Sequence, residues 1–165
     1  MNNALMFSSK SDEWETPQSL FDALDDEFCF LLDAAASHDN HKGEHGTAYI
    51  TAADDALSVD WLDWMKGQDG DPRSVGLQPT VWLNPPYSKC ADFVAKAAAE
   101  SRTGCTVVML LPARTDTRYF HDYIWDAERH QPRANIQVRF IKGRLKFGDA
   151  ANSAPFPSMV VVFRP

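Results

Sequence analysis

The sequence has three cysteines, Cys29, Cys90 and Cys105, and no two of them form a CxxC pair. An odd number without such a pair argues against a disulfide framework and against a thiolate metal centre. Free thiols in a reducing compartment are the expectation. Long apolar runs are missing too: none approaches the ~18 residues of a membrane helix. The N-terminus, MNNALMFSSKSDEWE, has neither a basic start nor an extended apolar segment, so no secretion signal is expected. Together these absences predict a cytoplasmic protein. Base is scarce in the first part of the chain. Residues 1–64 hold 14 acids and two bases, Lys10 and Lys42.

The remainder reverses that balance. Residues 65–165 hold 9 acids and 14 bases. From Arg129 to Gly148 there are six bases and no acid: Arg129, Arg133, Arg139, Lys142, Arg144 and Lys146. The formal charge of −7 argues against a nucleic-acid partner. A local basic stripe is the better guide to phosphate contact than net charge. It is equally compatible with solvated strand and loop residues, and both readings stand.

A chain of 165 residues predicts one domain. We expect a loose tail at residues 1–11, one domain over residues 12–165, and a mobile Gly-, Asp- and Pro-rich loop at 66–79. Thr16-Pro17 reads as a helix cap followed by proline in the first turn. Leu20, Phe21, Leu24 and Phe28 share one helical face. Residues 28–33, FCFLLD, read as a buried strand, and 37–46 as a loop. Residues 53–65 suggest a short helix or turn carrying Leu57, Trp61 and Trp64. Thr80–Leu83 is a strand, and Ser88 caps a helix that runs to about Arg102. Cys105–Leu111 is an all-apolar strand, the kind found in parallel sheets covered by helices. Thr115 or Asp116 caps a helix carrying Tyr119, Phe120, Tyr123 and Ile124. Ile136–Ile141 and Ser158–Phe163 pair as an antiparallel hairpin with a long tip at 142–157. The fold class is α/β, a doubly wound sheet ending in an antiparallel hairpin.

In such a sheet ligands bind at the carboxyl ends of the strands. Asn84-Pro85-Pro86-Tyr87 stands at one of those ends. Two prolines stop the ladder and stiffen the backbone. The tip therefore offers a side-chain amide oxygen and a rigid carbonyl as two acceptors, with a ring, expected to be exposed, beside them. An exocyclic amino group such as adenine N6 has two N–H donors next to a flat π face. Two acceptors hold both hydrogens, and Tyr87 stacks on the base, a contact worth roughly 1–3 kcal/mol. Acceptors placed off the ring plane favour a pyramidal nitrogen with its lone pair aimed at an electrophile. A rigid turn with a surface tyrosine is the plain alternative.

NPPY is the amino-methyltransferase motif, and the wider chain resembles the short phage and prophage DNA N6-adenine methyltransferases of the Dam type. The matching pieces are DEWETPQSLFDAL, FLLDAAAS, ADDALSVDW, VWLNPPYS, VVMLLPARTDTRYFH and RFIKGRLKFG followed by SAPFPSMVVVF. The resemblance implies a Rossmann-like fold that takes methyl from S-adenosylmethionine. The implied acceptor is adenine N6 in double-stranded DNA, with no metal, in the host bacterial cytoplasm. Asn84, Pro85, Pro86 and Tyr87 are then catalytic. Thr16, Pro17, Asp33, Ala34, Ala35 and Asp55 are then cofactor residues, with Asp54 second to Asp55. Alanines replace the usual glycine-rich loop after Asp33. For the ribose hydroxyls Asp39 and Glu44 are both open. Tyr87 and Phe147, with Phe156 the alternative to Phe147, are expected to pack on a flipped target base. Lys142, Arg144 and Lys146 are expected to lie by the DNA backbone. Arg114, Asp116 and Thr117 follow another strand end and clamp substrate or cap the next helix. His38, His41 and His45, with Asp39 and Glu44, match no metal-ligand spacing and read as a polar loop.

The motif alone also tolerates cytosine N4, adenine in RNA or a glutamine amide as acceptor. A cofactor-free nucleic-acid-binding relative is the rival from another class. The basic hairpin disfavours glutamine, and Asn84 disfavours cytosine.

Overall fold

A computed structural model describes residues 14–37, 41–43, 47–149 and 151–165, excepting the Asp69 side chain. The tail expected at 1–11, Asp39 and Glu44, and His38 and His45 lie outside the described residues.

Helix α1 spans Gln18–Phe28 and buries Phe21 and Leu24. It starts with Pro17 at the cap and no side-chain cap bond, so Thr16 is not the helix cap the sequence suggests. Cys29 ends it in the left-handed region, at φ 54. Strand β1 follows as Leu32–Ala36, starting four residues later than the expected FCFLLD run and sharing Leu32 and Asp33 with it. The apolar face at Leu24 and Phe28 belongs to the helix. Leu32 and Asp33 pair with both neighbouring strands, and the pairing of Ala36 with Thr51 of the strand after it carries three alanines into β1 despite their weak β-propensity.

Strand β2, Ala48–Thr51, has no counterpart in the sequence reading. It pairs parallel to β1. Turns occupy most of 52–59, and helix α2, Trp61–Asp69, follows them, capped by Asp60, whose carboxylate accepts from Asp63 N. A 3₁₀ turn, Pro72–Val75, follows it, so ordered turns occupy much of the span read as a loop at 66–79. Strand β3, Thr80–Leu83, is wholly buried. A 3₁₀ turn at Tyr87–Lys89 and helix α3, Cys90–Arg102, come next. Lys89 precedes α3 and gives it no side-chain cap bond. Strand β4 spans Thr106–Pro112. The helix expected after Thr115 is a single π-helical turn, Phe120–Ile124. A short antiparallel pair, β5 Trp125–Asp126 and β6 Gln131–Pro132, leads to the hairpin β7 Ile136–Phe140 and β8 Ser158–Phe163.

The main sheet has six strands in the order β2-β1-β3-β4-β8-β7. The first four run parallel; β8 is antiparallel to both β4 and β7. The core is the sheet's own buried ladder, from Leu32 through Val81 and Met109 to Val161, each 0 % exposed. Helix α1 is held by Phe21, which meets Trp82 of β3 edge-on at 5.5 Å.

Two features of this topology place the site. From β1 the chain crosses to β2 on one side, and from β3 to β4 on the other. The carboxyl ends of β1 and β3 therefore flank the switch point where open α/β sheets bind ligands. Strand β7 runs in the same sense as β4, since both are antiparallel to β8. The hairpin tip 142–157 thus lies at that same edge. The segment 66–79 leads into the opposite end of β3, where Gln78 Nε2 donates to Gly104 O at 2.9 Å.

Candidate active site

A cleft of about 910 Å³, its open mouth included, lies at the switch point. Its walls include Asp33 and Ala34–Ala36 of β1, Thr51 and Asp55 after β2, and Asn84-Pro85-Pro86 after β3.

Asn84 is the centre of it. Its Nδ2 donates to the Trp14 carbonyl and to Thr16 Oγ1, the latter at 3.0 Å. The Trp14 carbonyl can only accept, so the amide is fixed with nitrogen toward it. Asn84 Oδ1 is left buried, with less than 1 Å² accessible and no hydrogen-bond partner. An acceptor in that state costs about 1–3 kcal/mol. The strap Trp14–Pro17 is what imposes it. Thr16 is 3 % exposed, and its hydroxyl serves the asparagine rather than the helix. A second tie holds the strap to the hairpin tip, where Gly148 N donates to Glu15 O at 2.9 Å. A Cβ at Gly148 would stand 3.1 Å from the Glu15 carboxylate, and its φ is +52, so glycine suits the crossing.

Tyr87 is not the exposed ring expected from the sequence. It is 7 % exposed, and burial raises its hydroxyl's pKa far above the usual phenol range. Trp14 lies nearly parallel to it, with centroids 6.2 Å apart and planes at 21°. Phe147 and Phe156 meet the Trp14 ring edge-on, each at 5.2 Å. Phe156 also meets Tyr87, at 5.3 Å. Both phenylalanines of the hairpin tip therefore join one box, and the sequence's choice between them is not needed.

Asp33 is 3 % exposed and accepts from Lys42 N at 2.7 Å and Ala35 N at 3.3 Å. Burial pushes its carboxyl up to about 6, against the pull of those N–H groups and of His41 and Lys42. Lys42 lines the cleft too. Its ammonium lies 3.5 Å from Glu15 Oε1 and 3.2 Å from Gln18 Oε1. The sequence reading gave it no role, although one of only two bases among 64 residues was a usable signal. Ala34 and Ala36 are buried within β1, so their small side chains set the cleft wall without any glycine.

Of the two neighbouring acids, Asp54 ties the end of β2, accepting from Thr51 N and Thr51 Oγ1 at 2.9 and 2.6 Å. Asp55 stands in the cleft wall with its backbone at φ 54 and its side chain exposed. Pro17 is not part of the wall; it starts α1. Arg114, Asp116 and Thr117 lie past the end of β4, outside the cleft wall, where Thr117 Oγ1 donates to Arg114 O at 2.8 Å. His41 stacks on Tyr49 at 4.8 Å.

The basic stripe divides. Arg139 forks onto both Glu27 oxygens at 2.6 Å, Arg133 donates to His121 O, and Arg129 lies 3.9 Å from Asp126. Lys142, Arg144 and Lys146 are exposed on the hairpin tip, and among the described residues none of them pairs with a carboxylate. Among the described residues, no helix is long and apolar enough to cross a membrane.

The profile of the family described as DNA N-6-adenine-methyltransferase (Dam) matches residues 4–165. A protein of Haemophilus phage HP1 named DNA N-6-adenine-methyltransferase is 29 % identical over 160 residues, which is 95 % of this chain and 81 % of the relative. A protein of Escherichia phage T1 with the same name is 32 % identical over 110 residues, 66 % of this chain and 39 % of the relative.

Proposed function

The chain belongs to the DNA N-6-adenine-methyltransferase (Dam) family, and on that premise we propose that it methylates adenine N6 in double-stranded DNA with S-adenosylmethionine as donor. The observation that carries the reading is Asn84 Oδ1, a buried acceptor that the strap orients and leaves without a partner.

The cleft's chemistry suits the donor. Asp33 takes the ammonium of the amino-acid end, and Lys42 its carboxylate. Asp55 accepts from the nucleoside end, and the small side chains at Ala34–Ala36 admit the cofactor close to β1. When bound, S-adenosylmethionine supplies an electrophilic methyl on a positive sulfur.

The chain's own part is alignment. Asn84 Oδ1 and the Pro85 carbonyl accept the two hydrogens of N6. That fixes the nitrogen at the mouth of the cofactor cleft and favours a pyramidal geometry. Tyr87, Phe147 and Phe156 surround the base after it leaves the helix stack. Lys142, Arg144 and Lys146 hold phosphates and set the position of the duplex. The N6 lone pair would form the new bond to the methyl carbon as the bond from that carbon to the donor's sulfur breaks, S-adenosylhomocysteine would leave as the neutral thioether, and N6 would lose a proton to solvent; no side chain forms a covalent intermediate.

The test is transfer of labelled methyl from S-adenosylmethionine to unmethylated duplex DNA. Label in the DNA is expected, and none at saturating enzyme and cofactor overturns the proposal. Changing Lys142, Arg144 and Lys146 together to Ala is expected to weaken DNA binding and to flatten its dependence on salt. Each lost phosphate contact should reduce the log–log slope by about 0.9. A slope equal to that of the unaltered protein would place the DNA elsewhere.

A further inference from the structure

The four rings of the aromatic box leave no room for a base. The six centroid separations among Trp14, Tyr87, Phe147 and Phe156 all fall between 5.2 and 6.3 Å. A stacked base between two parallel rings needs about twice the ordinary ring contact distance of ~3.5 Å. Tyr87, Phe147 and Phe156 are 7 %, 4 % and 8 % exposed, so three of the walls are covered. Asn84 Oδ1, which the reaction needs, is sealed from water as well. An amino group therefore reaches it only after something moves.

We propose that Trp14 is the displaceable wall of the target-base site. Its indole fills the place of the adenine in the DNA-free enzyme and swings out as the base enters. This rests on the function proposed above. Trp14 is the one half-buried ring of the four. The other three come from the catalytic turn and the hairpin tip, whereas Trp14 sits on the strap ahead of α1. Its main chain is held independently of its ring. The carbonyl accepts from Asn84 Nδ2, Glu15 O ties the strap to Gly148, and Thr16 Oγ1 holds the same asparagine. Rotation of the side chain opens the box and leaves Asn84 in its working orientation. Trp14 is thus a base-site residue through its ring and a positioning residue through its carbonyl. The indole's flat face beside Tyr87 matches the chemistry of the occupant it yields to: a planar heteroaromatic base, stacked and edge-packed by the same partners.

The test reads the Trp14 emission, taken as the difference between the unaltered protein and Trp14→Phe. Both are first saturated with S-adenosylhomocysteine, so that Trp82 in the cleft wall gives a constant signal. Each is titrated to saturation with a mixed-sequence duplex and, separately, with poly(dG)·poly(dC), which has no adenine. The mixed duplex is also incubated with enzyme and labelled S-adenosylmethionine. A red shift with the mixed duplex and none with the adenine-free polymer is the expected result. Methylation without any shift overturns the gate and leaves the enzymatic function standing. An equal shift with both polymers also overturns it, because the ring would then respond to backbone binding alone. No methylation overturns the proposed function, and the gate with it.

Discussion

Asn84→Ala is expected to lower kcat for methyl transfer by at least ~10²–10³-fold, the loss seen when one preorganised electrostatic group is removed from a reacting centre. The structure explains why so small a change is so costly. The Asn84 amide has one job on each side. Its nitrogen is spent on the Trp14 carbonyl and Thr16 Oγ1. Its oxygen is left buried and unpartnered. The fold tolerates an acceptor without a donor there, and binding of the substrate amine supplies the donor. Alanine removes that oxygen, leaves the neighbouring Pro85 carbonyl as the sole acceptor, and releases the strap from β3. Cofactor affinity should change little, since Asp33, Lys42 and Asp55 remain in the cleft wall. Thr16→Val is the graded companion. It deletes one of the two bonds that orient the amide, a loss of about 1 kcal/mol, so kcat should fall roughly tenfold or less. Full activity in Asn84→Ala would remove the asparagine from the mechanism.

The affinity for S-adenosylmethionine is expected to fall as pH drops through about 6, by about tenfold per unit. Asp33 is the cause. Burial raises its carboxyl to about 6 from the ordinary 3.8. A raised acid runs opposite to the usual surface carboxylate. Below the unfolded value both states are protonated and burial carries no ionic cost. Between the two values the unfolded chain sheds its proton first, so stability declines as pH rises, by about 3 kcal/mol in total. Above the folded value the native protein holds a buried carboxylate, which the Lys42 and Ala35 N–H groups only partly satisfy. The ammonium of the cofactor completes that set, so binding favours the ionised form and tightens with rising pH until Asp33 has titrated. Calorimetry between about pH 5 and 7 reads the slope, in the range where the cofactor's own amine stays protonated. Asp33→Asn should bind more weakly and lose the slope. An identical slope in Asp33→Asn would assign it to another group near the site, with His41 and Lys42 the ones that face Asp33.

The parts of the fold that could be read from sequence are those with punctuation or strong apolar pattern. Pro85-Pro86 ends β3 where expected, the apolar run at 105–111 is β4 within one residue, and the final hairpin pairs as its two runs suggest. What was illegible depends on contacts between distant segments. β2 is four residues long, and only its partner β1 makes it a strand. The three alanines of β1 have no strand signature of their own. At the site, Asn84, Asp33 and Asp55 were singled out and meet at one cleft. Trp14 was missed because its role comes from a carbonyl and from packing 70 and more residues away. Thr16 was noticed for the wrong bond. Its side chain turns from the helix to Asn84, a choice no local pattern encodes. The burial of Tyr87 follows from the same strap.

The measurement that tests the account most directly is nucleoside mass spectrometry. Unmethylated duplex DNA is incubated with the protein and S-adenosylmethionine, digested, and searched for a one-methyl gain. The account predicts N6-methyl-deoxyadenosine, formed by the unaltered protein and not by Asn84→Ala. Methylated deoxycytidine, or the same yield of methyladenine from the variant, would contradict it.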